Sequence, residues 1–101
     1  MRGVLVSAPV KQYIIALANA TRKAPELRLG ASPRAALHLL RASRARAALA
    51  GRDYVIPDDV QALAAPVLTH RLLPTTEAVY DGRHPEQVVT KLVSDLPLPR
   101  A

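Results

Sequence analysis

Half of the 101 residues are hydrophobic, yet the chain has no Phe and no Trp, so any core must be built from Ala, Leu, Val and Ile. Only Tyr13, Tyr54 and Tyr80 are aromatic. Small side chains let backbones approach one another and suit closely packed helices. A chain of this length forms one domain and can bury about 65% of the surface its unfolded form exposes. No cysteine is present, which excludes disulfides and thiolate metal sites. His38, His70 and His84 lie too far apart for a zinc-type spacing, so no metal site is expected. Apolar runs fall far short of the roughly 20 residues that span a bilayer, and the N-terminus lacks the apolar stretch of a signal peptide. These features point to a soluble, cytoplasmic chain with no membrane insertion. The net charge of +6 makes a nucleic acid, a nucleotide or an acidic protein face a suitable partner.

Val10, Tyr13, Ile14, Leu17, Ala18 and Thr21 form one apolar stripe, which predicts a first helix over 7–22 capped by Ser7. Lys23-Ala24-Pro25 ends it, because the residue before proline is pushed out of helical geometry. Leu27–Leu29 reads as a short extended stretch. A second helix is expected over 33–50, closed by Gly51, with Leu37, Leu39, Leu40 and Leu49 on widely separated bearings, the pattern of a central helix. Tyr54-Val55-Ile56 reads as a strand that can pair with 27–29. Pro57, Asp58 and Asp59 open a third helix over 58–72, with Val60, Leu63, Ala64, Val67 and Leu68 inward and a kink or break near Pro66. Thr75 to His84 reads as a flexible loop with a turn at Asp81-Gly82. A fourth helix over 85–94 follows, with Val88, Val89, Leu92 and Val93 inward, and Leu96-Pro97-Leu98-Pro99 is expected to be extended. The fold class is therefore mainly α, a bundle of four to five helices with at most a short two-stranded pairing of 27–29 with 54–56.

Gly30-Ala31-Ser32-Pro33-Arg34-Ala35 is the most informative local run. Ser32 is a good N-cap and Pro33 a good first helical residue, which puts Arg34 in the first turn of the second helix. A cation there forgoes roughly 0.3–1 kcal/mol that an acidic side chain would gain from the helix dipole. Two readings follow: Arg34 points into water, or it meets a phosphate carried by another part of the same protein. Arg34, His38 and Arg41 lie within about 60° of one another on that helix, as a solvated edge or a contact surface.

Catalytic signatures are missing. Gly3, Gly30, Gly51 and Gly82 never approach a phosphate-loop spacing, and no serine sits in a nucleophile elbow. Asp58 and Asp59 are better explained as residues that start a helix than as a catalytic pair. The chain alone is not expected to be an enzyme.

Five motifs in order resemble one family: Ala20-Thr21-Arg22, Leu29 to Ala35, Ala45-Arg46-Ala47 followed by Gly51-Arg52, Val55 to Val60, and Val67-Leu68-Thr69-His70-Arg71. Together they are similar to the C-terminal helical lid of MoxR-type AAA+ ATPases, from about Val6 to Pro99. The lid of magnesium-chelatase ATPase subunits is similar around Gly51-Arg52, Asp59-Val60 and His70-Arg71, but the Gly30 to Ala35 run favours MoxR. The resemblance implies that ATP and magnesium are bound by a preceding AAA+ core absent from this chain, which by itself is expected to bind no nucleotide tightly. It implies neighbouring subunits in a ring, a client protein, and a chaperone-like remodelling or regulatory role. It also assigns Arg34 the second-sensor role at the terminal phosphate, with His38 and Arg41 as further candidate contacts to nucleotide or core. Arg22, Arg52 and Arg71 fall in the shared motifs but read equally well as arginines that tie loops together.

Two other classes fit parts of the pattern. A basic helical nucleic-acid binder would use the positive charge, but the aromatics available for stacking are few, and Gly51 to Pro57 is long for a helix-turn-helix. A histone-fold-like interaction module shares the short helix, long helix and Pro-Asp helix start.

Overall fold

Ser7 begins the first helix by accepting a hydrogen bond from the Val10 N–H at 3.4 Å, as a good N-cap does. The computed structural model describes residues 4–97. Its elements are α1 (Ala8–Lys23), β1 (Leu27–Leu29), α2 (Pro33–Leu49), α3 (Pro57–Leu68), a 3-10 turn (Thr69–Arg71), β2 (Leu73–Pro74), α4 (Thr76–Tyr80) and α5 (Pro85–Asp95). This is a mainly helical bundle with one short antiparallel pair. Leu98 and Pro99, expected to be extended, lie outside the described residues.

The buried residues of α1 are Val10, Tyr13, Ile14, Leu17, Ala18 and Thr21, the stripe read from periodicity. Ala24 is extended and stops the helix ahead of Pro25. α1 packs on α2 and α5, and α3 packs on α2 and α5, so the core lies between these four helices.

α2 is not the all-round buried helix its leucines suggested. Its buried seam is Ala35, Leu39, Ser43 and Ala47, while Leu37 is 42% and Leu49 89% exposed. Residues four apart stack on one face, and small side chains there allow close approach to α1 and α3. Ser43 satisfies its buried hydroxyl by donating to the Leu39 carbonyl at 2.8 Å. Gly51, at φ +80°, ends the helix: its N–H bonds the Ala48 carbonyl and the Arg52 N–H bonds the Ala47 carbonyl. This is the double bond pattern of a glycine-terminated helix.

The strand pairing also differs from expectation. β1 pairs with β2, in the register Leu27 with Pro74 and Leu29 with Leu73, and not with 54–56. Pro74 has no N–H to offer and sits in a strand of only two residues. Tyr54 instead makes an isolated parallel bridge to Leu5, through Leu5 N–H to Asp53 O and Val55 N–H to Leu5 O.

Pro66 does not break α3 where it stands. The α-helix runs on to Leu68 and tightens into a 3-10 turn at Thr69. Pro66 and Ala62, whose carbonyl loses its helical donor, are both exposed, so water can serve the freed oxygen. The segment read as a flexible loop, Thr75 to His84, contains α4. Thr75 caps it by accepting from the Ala78 N–H at 3.0 Å, and Gly82 at φ +73° closes it.

Candidate functional site

The loop ahead of α2 is clamped to the last turn of α1 through both backbone groups of Ala31. The buried Thr21 hydroxyl accepts from the Ala31 N–H at 2.9 Å while donating to the Ala18 carbonyl at 2.6 Å. Arg22 Nε donates to the Ala31 carbonyl at 2.7 Å, and its Nη1 donates to Asn19 Oδ1 at 2.8 Å. Gly30 lies so close to α1 that a Cβ added there would stand 2.5 Å from the Cα and N of Arg22. Only a hydrogen fits in that space, which is why glycine stands here. Ser32 then accepts from the Ala35 N–H at 3.1 Å and starts α2.

This clamp fixes where Arg34 leaves the fold. Its side chain is exposed in the first turn of α2, a helix with no acidic residue. His38 is half-buried and Arg41 exposed on the same helix. The structure adds a residue to this row that helix periodicity did not place: Arg71, from the 3-10 turn, contacts His38 through Nη2 and Nδ1. His70 lies elsewhere, beside Pro66, Thr69 and Glu86. Among the described residues no three His, Asp or Glu side chains are grouped to hold a metal ion.

Arg46 and Arg52 are committed to structure. Asp59 is fully buried at the start of α3 and receives four donors. Arg52 holds it with two bonds, Nη1 to Oδ2 at 2.7 Å and Nη2 to Oδ1 at 2.8 Å. Arg46 Nη1 donates to Oδ1 at 2.7 Å, and the Ile56 N–H donates to Oδ2 at 2.9 Å. The Arg52 hydrogen bonds, then those from Ile56 and Arg46, outweigh the cost of burial and bring the Asp59 pKa down to about 2. The carboxylate therefore joins the end of α2, the 52–56 connection and the start of α3. Nothing in the one-dimensional spacing of these residues marks that triad; the nearest signal was the position of Asp59 in the first turn.

The AAA lid domain family matches residues 19–92, from the clamp on α1 to the last turns of α5. The chain belongs to the AAA lid domain family. Within that family it is a lid of the MoxR type. It is 39% identical over 87% of its length to "Chaperone MoxR1" of Mycobacterium tuberculosis. It is 38% identical over 98% of its length to "Uncharacterized protein YeaC" of Bacillus subtilis. A crystal structure of a "putative ATPase" from Cytophaga hutchinsonii superposes with a TM-score of 0.91, at 32% identity over 97% of this lid. The lid spans 26% of the mycobacterial protein, 31% of the Bacillus protein and 32% of the Cytophaga chain. No described helix is long and apolar enough to cross a membrane.

Proposed function

We propose that this lid closes over ATP held by an AAA+ core in a longer polypeptide, and that Arg34 is its second sensor, reaching the terminal phosphate. The observation that carries the reading is an exposed guanidinium, without a carboxylate partner among the described residues, on a loop tied down by Thr21, Arg22 and Gly30. An anion placed there gains from the guanidinium and from the positive end of α2 together. Charge-assisted bonds of this kind strengthen when a closing lid excludes water, and they support the charge that develops during phosphoryl transfer. Loss of the terminal phosphate removes the anion and releases the lid, which lets hydrolysis move domains.

In this reading the phosphate loop and the magnesium ligands belong to the core, and the ATPase activity to the longer protein. His38 and Arg41 are candidate contacts to nucleotide or core. Ring neighbours, a client to be remodelled, and a cytoplasmic setting complete the proposal; the relative named "Chaperone MoxR1" supports a chaperone-like role. The test is Arg34→Ala in the full-length ATPase. ATP turnover is expected to fall about tenfold or more, while the lid's own stability changes by less than about 0.5 kcal/mol because the residue is exposed. An unchanged turnover rate removes Arg34 from the mechanism.

A further inference from the structure

Four arginines of this lid meet oxygen acceptors. Arg46, Arg52 and Arg83 each meet a carboxylate, on Asp59 or Asp81, and Arg22 meets the carbonyl oxygens of Ala31 and Asn19. Arg71 is different: its Nη2 meets the imidazole of His38. A guanidinium carries donors only, so the ring accepts at Nδ1 and keeps its proton on Nε2. That contact aims the Arg71 side chain without neutralising it. It also brings a cation from the 3-10 turn onto a helix that already presents Arg34 and Arg41 and contains no acidic residue. His38 is four residues from Arg34 and three from Arg41, and side chains so spaced on a helix stand roughly 5–6 Å apart at Cβ.

We propose that Arg71 is a second phosphate-facing arginine, held in reach of the Arg34 site by His38, so that the lid grips a polyphosphate with two guanidinium groups. This rests on the reading of Arg34 given above and adds a ligand class and a second residue to it. A run of linked phosphates offers several charged oxygens to two planar forks. A carboxylate can take two arginines, as Asp59 does, but it brings one negative charge, whereas linked phosphates bring several, so the pair of otherwise uncompensated cations favours the polyphosphate end of a nucleoside triphosphate over an acidic side chain. His38 is the positioning residue in this arrangement. Its ring fixes Arg71 through a neutral acceptor that a phosphate oxygen can replace without leaving a buried group unpaired.

The test uses the 101-residue chain, with inorganic tripolyphosphate as the probe at constant ionic strength. Binding is followed through the arginine Nε–H and histidine ring nitrogen resonances. The expected result is weak, saturable binding in which the Arg34, Arg71 and His38 signals move together. Arg71→Ala weakens it about twofold to fivefold, Arg71→Lys retains part of it, and Lys91→Ala on α5 leaves it unchanged. The His38 Nδ1 resonance is the readout that a purely structural Arg71 would not move on adding the probe. If Arg34→Ala weakens binding while Arg71→Ala does not and His38 Nδ1 stays still, the second arginine is overturned and the Arg34 reading stands. If Arg34→Ala is also without effect, if Lys91→Ala weakens binding as much, or if no binding saturates, both readings fall.

Discussion

Replacing Asp59 by Asn should destabilise the lid by about 2 kcal/mol at neutral pH, and that loss should vanish in acid. An aspartate carboxyl lowered from its ordinary value near 4 to about 2 carries about 2 kcal/mol of stabilisation in its charged form. A buried ion pair broken on one side usually costs about 3–5 kcal/mol. Here the Arg52 and Arg46 side chains retain 22% and 44% of their exposure, so the stranded cations reach water and the lower figure is the better guide. Asn keeps one acceptor oxygen but turns an amide donor toward guanidinium donors, so it does not restore the network. In a domain of this size about 2 kcal/mol lowers the melting temperature by about 8–16 °C.

Thermal and urea unfolding followed by circular dichroism from pH 7 down to pH 2 reads this out. Because the folded pKa lies below the unfolded one, the stabilisation is complete above about pH 4 and is lost as pH falls toward about 2. The stability gap between the native chain and Asp59→Asn should therefore be widest near neutrality and close across that interval. A gap below about 0.5 kcal/mol at pH 7, or one that stays constant from pH 5 to pH 2, refutes the assignment of the carboxylate as the tie between α2 and α3.

Two further substitutions probe the clamp that aims Arg34. Gly30→Ala forces a methyl group against the Arg22 backbone and should cost about 1–3 kcal/mol in urea unfolding; a neutral result would mean that the loop is not seated on α1. Thr21→Val keeps the shape but removes the acceptor for the buried Ala31 N–H, with an expected loss of about 1–3 kcal/mol and faster amide exchange at Ala31; unchanged exchange there would contradict the hydrogen bond.

Helices with strong caps and a single apolar stripe are legible in the sequence. Ser7, Ser32 and Pro57 mark starts, and the buried faces of α1 and α5 follow from spacing alone. Short elements were not readable. α4 has five residues, too few to show a helical period, and β2 has two, one of them proline. α2 misleads because its leucines are spread around it while only Leu39 joins the small residues Ala35, Ser43 and Ala47 in the seam, so hydrophobicity alone does not mark the buried face. At the candidate site, the placement of Arg34 at a capped helix start was legible from Ser32-Pro33-Arg34. The arrival of Arg71 at His38 was not, because it depends on where α3 converts to a 3-10 turn.

The two arginine-rich motifs sit at opposite ends of α2 and do different physical work. At its C-terminal end, Gly51 turns the chain so that Arg52, the residue next to it, can hold Asp59 with two bonds, and this joins α2 to α3. At its N-terminal end, Thr21 and Arg22 hold both backbone groups of Ala31, and this joins α2 to α1. A helix fixed at both ends to different neighbours cannot tilt independently of either. In the second-sensor role proposed for Arg34, a force applied there is carried to α1 and α3 together, so a phosphate binding or leaving would displace the bundle as one body and not bend a single helix. In the function proposed for Arg34, Arg22, Arg46 and Arg52 serve packing while Arg34, without a carboxylate partner among the described residues, stays available to an anion.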